Sequence, residues 1–236
     1  MKISSNELYT SGTYFERKPT FDATDSPWKA AVISKLLKKN NIQPKEMVEV
    51  GCGGGGILEN LAANHPEIEH LVGYDISPQA IMLAQKKSTE RLAFFEEDYT
   101  AIETPKTNVL LLIDVLEHID DFYGMLRKLK ERSDYFVFHI PLDLSCRSVL
   151  KPHIMLQQRE TVGHVHYFTR DILEWALKDI GYTTINWVYT KPITDTFAPR
   201  GFKGRVKKML RNILFSINKN LTADLFGGYS MMILAK

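Results

Sequence analysis

The chain has 236 residues, 44% of them hydrophobic and 25% charged, with a formal net charge of +2. That length suits one α/β domain with a full core, and the composition is ordinary for a globular protein. So balanced a charge gives no ground for a nucleic-acid partner, none is expected, and no apolar run approaches the ~20 residues that span a bilayer.

The first 25 residues are polar and aromatic without a clear period (Tyr9, Tyr14, Phe15, Phe21) and read as a lid or a frayed end. Ser26-Pro27 opens a helix, Ser as N-cap and Pro at the first position, with Val32, Ile33, Leu36 and Leu37 as its apolar stripe. Residues 1–44 are therefore expected to form an N-terminal lid and helix on a single domain spanning 1–236. Next comes M-V-E-V-G-C-G-G-G-G, Met47 to Gly56: a strand running into a block of glycines, then a helix over about Ile57 to Ala63. Such a turn uses backbone angles that glycine adopts cheaply, and it brings helix N–H groups close to a ligand. A nucleotide-like cofactor is expected there. Of the two cysteines, Cys52 sits inside this turn, so a structural disulfide is not expected and a reducing, cytoplasmic setting is.

Strand 2 (Leu71–Asp75) leads into Ser77-Pro78 and a helix carrying Ile81 and Met82. Strand 3 is Leu92–Phe95 and strand 4 the unbroken run Val109–Ile113, whose continuous apolarity implies burial on both faces, as in a parallel sheet. A helix with Phe122, Met125, Leu126 and Leu129 follows, then strand 5 (Tyr135–Ile140), stopped by Pro141. Residues 142–168 read as irregular. Thr169 caps a helix that ends at Gly181, Thr183–Thr190 alternates like a strand, and Tyr229–Ala235 is the last strand. Alternating strands and helices predict a doubly wound α/β sheet, in which ligands sit outside the carboxyl ends of the strands. Glu49, Gly51, Asp75, Asp98, Asp114 and His139 all fall at those ends.

The cofactor is not decided by the turn alone. Gly51-x-Gly53-x-x-Gly56 also satisfies the dinucleotide fingerprint, and Asp75 suits the ribose of either NAD or S-adenosylmethionine. Asp98-Tyr99 suits an adenine, and the sheet elements fill the chain without leaving a second substrate domain. Taken in order, V-E-V-G-C-G-G-G-G, G-Y-D-I-S-P-Q-A-I, F-F-E-E-D-Y, L-L-I-D-V-L-E-H-I and G-H-V-H-Y-F-T-R-D-I resemble the class I S-adenosylmethionine-dependent methyltransferases, in the small-molecule branch that includes the ubiquinone-pathway O-methyltransferases. The resemblance covers about residues 45–190 and the final strand. It implies a seven-stranded, mostly parallel Rossmann-like sheet whose last strand is antiparallel. It also implies contacts to S-adenosylmethionine from Glu49, Gly51, Cys52, Gly53, Asp75, Ile76, Asp98, Tyr99, Asp114 and Val115, with His118 near the methionine end. The acid often found at the start of strand 4 is Asn108 here, remote from the carboxyl end and expected to be harmless. The alternative kept beside this reading is an NAD-dependent oxidoreductase.

Methyl transfer to a hydroxyl needs a base, and histidine titrates in the right range. His139, His164 and His166 are the candidates, the last two expected on one face of an extended segment. His153, His164 and His166 with Asp143 match no compact metal spacing, and no metal is expected. D-V-L-E after strand 4 is not the N/D-P-P-Y/F type of nucleobase amino-methyltransferases, no Pro-Cys nucleophile is present, and no paired-Glu loop is recognisable. A small-molecule, sugar or lipid-linked acceptor remains, methylated at oxygen. The acceptor's identity and the oligomeric state stay open.

Residues 191–227 form an insertion longer than a hairpin needs. From Arg200 to Lys219 there are seven basic residues and no acid, with Val206, Met209, Leu210, Ile213, Leu214 and Ile217 at helical spacing. The favoured expectation is a helical cap whose apolar face packs on the domain. The other is peripheral contact of 200–219 with an anionic membrane.

Overall fold

The structure, a computed structural model, describes residues 9–17, 23–192 and 201–236. Seven strands form one sheet: β1 (Glu46–Val50), β2 (His70–Asp75), β3 (Leu92–Glu96), β4 (Thr107–Ile113), β5 (Ser133–Leu142), β6 (Thr184–Thr190) and β7 (Tyr229–Ala235). The order is β3-β2-β1-β4-β5-β7-β6, with β7 antiparallel to both its neighbours and the other pairings parallel. This is the expected sheet. Its direction of progression reverses between β1 and β4, and there the carboxyl ends part to leave a crevice.

The described helices are α1 (Thr13–Arg17), α2 (Ser26–Lys39), α3 (Gly56–Asn64), α4 (Pro78–Ala84), α5 (Phe122–Leu129), α6 (Cys146–Leu150), α7 (His153–Thr161), α8 (Arg170–Ile180), α9 (Gly201–Ile217) and α10 (Lys219–Phe226). One core layer joins Ile33, Leu36, Leu58, Leu61, Leu71 and Val109, and the other joins Leu110, Leu112, Leu126, Phe138 and Leu177. Consecutive β4 residues thus enter opposite layers, which is why its run is unbroken. Ser77 caps α4 by accepting from Ala80 N, and Thr169 caps α8 by accepting from Ile172 N, ahead of a left-handed Gly181. Asn108 Oδ1 accepts from the backbone N–H groups of Lys45 and Glu46, so the residue that departs from the family pattern still ties β4 to the start of β1.

Four expectations change. Asp25, not Ser26, precedes α2; Ser26 is helical and buried, within the distance at which a Cβ on Gly56 would collide with its Oγ. Pro141 does not stop β5. It pairs with Ser230 of β7, and β4 has already ended opposite His139, so the missing N–H removes no bond on that side. The stretch 142–168 is not wholly irregular: Ser145 and Ser148 form a reciprocal capping box at α6, and α7 follows. Finally, the apolar stripe of α9 does not pack on the domain. Its buried residues are Arg211 and Phe215, while Met209, Leu210, Ile213, Leu214 and Ile217 are exposed.

Candidate functional site

A cavity of about 280 Å³ opens at the carboxyl ends of β1, β2, β4 and β5. The glycine turn forms its floor. Gly51 has φ +75°, and a Cβ there would meet Val115 Cγ2 at 2.6 Å, so only glycine lets the turn lie this close to the segment after β4. Glu49, Gly51, Cys52, Gly53, Asp75, Asp114, His118, His139 and His164 all line the cavity. Asp75 holds the turn: its Oδ2 accepts from Gly53 N at 2.8 Å and its Oδ1 from Ser77 N at 2.9 Å. Burial raises the Asp75 pKa against the opposing pull of those N–H groups.

Asp114 is the hub. It has φ 56°, a left-handed conformation uncommon outside glycine, and such strain persists where surroundings fix it. Here Oδ1 meets His139 Nδ1 at 2.6 Å and Oδ2 meets Lys29 Nζ at 2.6 Å, while Lys29 also pairs with Asp25 at 2.9 Å. Burial alone would raise the Asp114 pKa, but His139 and Lys29 hold it far below the carboxylate range. Burial likewise opposes the charge on Lys29, and Asp114 with Asp25 outweighs it, leaving a firmly protonated lysine. Glu49 differs. It is 1% exposed, its Oε2 has no hydrogen-bond partner among the described residues, and burial pushes its pKa up to about 8 despite Lys29 nearby.

The three candidate bases separate. His139 is buried with both ring nitrogens taken, Nδ1 by Asp114 and Nε2 by Thr190 Oγ1 at 2.8 Å. An ionised carboxylate accepts only, so Nδ1–H donates to Asp114, and Nε2 is engaged by the Thr190 hydroxyl. His166 does not line the cavity: its Nε2 meets Asp120 O at 3.1 Å and its ring packs on Phe122 at 4.9 Å. His164 and His166 do not share a face as expected, because Val165 N and His166 N both converge on Glu117 O and break the strand-like alternation. His164 does line the cavity, with Nδ1 held by Asp143 Oδ2 at 2.7 Å and Asp143 held in turn by Gln158.

Other expected contacts stay off the cavity wall. Tyr99 is buried, its ring between Tyr74 and the Arg132 guanidinium. Asp98 is spent on Thr100, whose N–H and hydroxyl both donate to Oδ1. The Val115 side chain packs against Gly51, and Ile76 is half-buried outside the lining.

Several lining residues were not anticipated. Lys29 had a legible signal, for Lys29, Ile33, Leu36 and Leu37 recur at helical spacing and put a cation in an apolar stripe. Tyr9 and Tyr14 line the cavity from the N-terminal segment, their rings 4.7 Å apart and Tyr9 5.6 Å from His118; Phe21 lies outside the described residues. Glu117 is 1% exposed with neither carboxylate oxygen hydrogen-bonded among the described residues, and burial with Asp114 close by raises its pKa. His118, which the resemblance puts near the methionine end, is buried and shifted down to about 4, first by burial and then by His164. His153 is exposed, so the trio considered for a metal does not assemble; Glu117, His118 and His164 instead each present a ligand atom within 4.8 Å of one another.

Residues 25–186 match the family model described as a methyltransferase domain. A ubiquinone biosynthesis O-methyltransferase from Aliivibrio fischeri (strain MJ11) is 24% identical over 182 residues, covering 69% of this chain and 75% of the relative. Another from Vibrio vulnificus (strain YJ016) is 23% identical over 154 residues, 62% of this chain and 53% of the relative. Among solved structures, magnesium protoporphyrin IX methyltransferase from Synechocystis PCC 6803 with bound S-adenosylmethionine superposes with a TM-score of 0.61 at 15% identity, over 99% of this chain and 97% of that one. Plantazolicin methyltransferase BpumL with S-adenosylhomocysteine gives 0.58 at 17% identity, over 96% and 88%. The dinucleotide alternative falls with these matches. The chain belongs to the methyltransferase-domain family, as a class I enzyme that uses S-adenosylmethionine.

Proposed function

We propose that the protein transfers the methyl group of S-adenosylmethionine to a hydroxyl of a small-molecule, sugar or lipid-linked acceptor, within a single domain whose residues 1–44 supply an N-terminal lid and helix. The observation that carries this reading is the His164–Asp143 pair on the wall of the same cavity that the glycine turn and Asp75 floor. Asp75 and the turn from Gly51 to Gly53 would hold the ribose and the methionine portion, and Glu49, whose buried Oε2 has no hydrogen-bond partner among the described residues, would with Asp114 serve the amino-acid end. Ile76, Asp98 and Tyr99 serve the adenine through backbone or not at all. Bound S-adenosylmethionine supplies an electrophilic methyl carbon on a sulfonium.

The protein's part is alignment, water exclusion and proton removal. With Nδ1 donating to Asp143, His164 keeps its lone pair on Nε2. That nitrogen would take the proton of the acceptor's hydroxyl, and the cofactor held by the glycine turn and Asp75 would supply the methyl group to the oxygen so exposed. His139 positions Asp114 and touches no substrate. The relatives named as O-methyltransferases support oxygen as the methylated atom. A screen of phenolic, sugar and lipid-linked alcohols with methyl-labelled cofactor tests this. Label in an ether, lost in His164→Asn, is the expected result; label on nitrogen or carbon, undiminished in that variant, overturns the assignment.

A further inference from the structure

We infer that the protein docks on anionic bilayers through a face built from α6, α9 and α10. On α9, Phe202 and Ile217 are 81% and 77% exposed, with Met209, Leu210 and Ile213 about half exposed. The helix α10 packs against both α9 and α6, and adds exposed Leu221 and Phe226; α6 adds Leu150 at 81%. Scattered exposed apolar residues are ordinary, but this many on α9 and α6, both packed against α10, and on α10 itself form a patch of the kind that marks an interaction surface.

The charge on that face selects the occupant. Lys203, Arg205, Lys207, Lys208 and Lys219 lie on α9 and at the start of α10, Arg147 lies on α6 and Lys151 at its end. The first acid after Arg200 is Asp224. Cations of one sign repel the same face of a second copy, since a two-fold interface would bring them together. They match a surface of anionic headgroups, into which an amphipathic helix lays its apolar side. No described helix is long and apolar enough to cross a membrane, so contact lies in the interfacial plane. What anchors α9 to the domain leaves this face open: the Arg211 guanidinium lies over Tyr229 at 4.7 Å and Phe215 stacks on the same ring at 4.8 Å.

The cavity wall includes Pro192, which precedes α9 in the chain, and Ser230, which lies on β7 shortly after α10. Docking would bring the cavity mouth to the lipid surface, where a lipid-borne acceptor sits; this last step rests on the methyl-transfer reading, whereas the docking does not.

Co-sedimentation with phosphatidylglycerol-containing and with pure phosphatidylcholine vesicles tests the inference without any turnover. At low salt the wild type should partition at least tenfold more onto the anionic vesicles, and salt should release it. Ile213→Asp/Ile217→Asp should lower that partitioning at least tenfold with affinity for S-adenosylhomocysteine unchanged, while Met82→Asp, on α4, should not lower it. Equal partitioning onto both vesicle types, none onto anionic ones, or a double variant that still pellets like wild type overturns the inference. So does a dimer in ultracentrifugation that the double variant dissolves, which would assign the face to a second copy. If vesicles bind but no acceptor is ever methylated, the docking stands and the activity assignment fails.

Discussion

Asp114 shows how much of the site depends on one carboxylate. It is bound by Lys29 and His139, and its backbone is held in a left-handed conformation. Removing the buried Lys29 would leave Asp25 and Asp114, whose side chains are 22% and 30% exposed, without their shared cation. A fully buried uncompensated charge costs about 3–5 kcal/mol, and partial solvation reduces that. Lys29→Met should therefore lower stability by about 1–3 kcal/mol, measured by urea unfolding, whereas no loss would mean the ion pair contributes nothing. His164 carries a different expectation. His164→Asn should reduce kcat by about 10²–10⁴-fold, the usual worth of a positioned base, with S-adenosylhomocysteine affinity unchanged by calorimetry. Asp143→Asn should lose less and move the pH profile, because it acts only through the His164 ring.

At the scale of elements, the turn between β1 and α3 sets the floor of the cavity. Gly55 has φ +74°, and a Cβ there would stand 2.6 Å from Phe94 Cζ. Left-handed backbone alone costs an alanine about 1–2 kcal/mol, and here the Phe94 ring must also move. Gly55→Ala should lower the thermal midpoint and weaken the cofactor site together, and a variant as stable as wild type would show that the turn relaxes freely. This turn was legible in the chain because glycine block, strand and helix each leave a local mark. So were β4, from its unbroken apolar run, and α8, from Thr169 and Gly181. The helices α6 and α7 were not. They are short and polar, and α7 buries no residue, so no apolar stripe announces them. The stripe on α9 was read correctly as a pattern and wrongly as a core face, since periodicity reports amphipathicity and not what covers it. His166 was misplaced for a related reason: two N–H groups bonding to one Glu117 carbonyl undo an alternation that composition cannot reveal.

For the molecule as a whole, the buried titratable groups of the site set a pH dependence. Glu49 has a folded pKa of about 8, above its unfolded value, so the folded state holds a proton the unfolded state has released. Stability contributed this way is full below the unfolded pKa and is lost as pH rises through 8. Glu117 acts in the same direction. His118, lowered to about 4, acts oppositely, but only between that value and its unfolded pKa near 6.5. Above pH 6.5 the carboxyl groups govern, and the midpoint should fall from pH 6.5 to 8. Glu49→Gln should flatten that slope, and an unchanged slope in the variant would remove Glu49 from the account.

The sheet, the turn and the Asp75 clamp converge on one ligand, and the fit of that ligand is the most direct check. Isothermal titration of the purified protein with S-adenosylhomocysteine and, separately, with NAD measures it. The account predicts micromolar binding of S-adenosylhomocysteine, abolished by Asp75→Ala, and no heat from NAD. Micromolar binding of NAD with none of S-adenosylhomocysteine would contradict it.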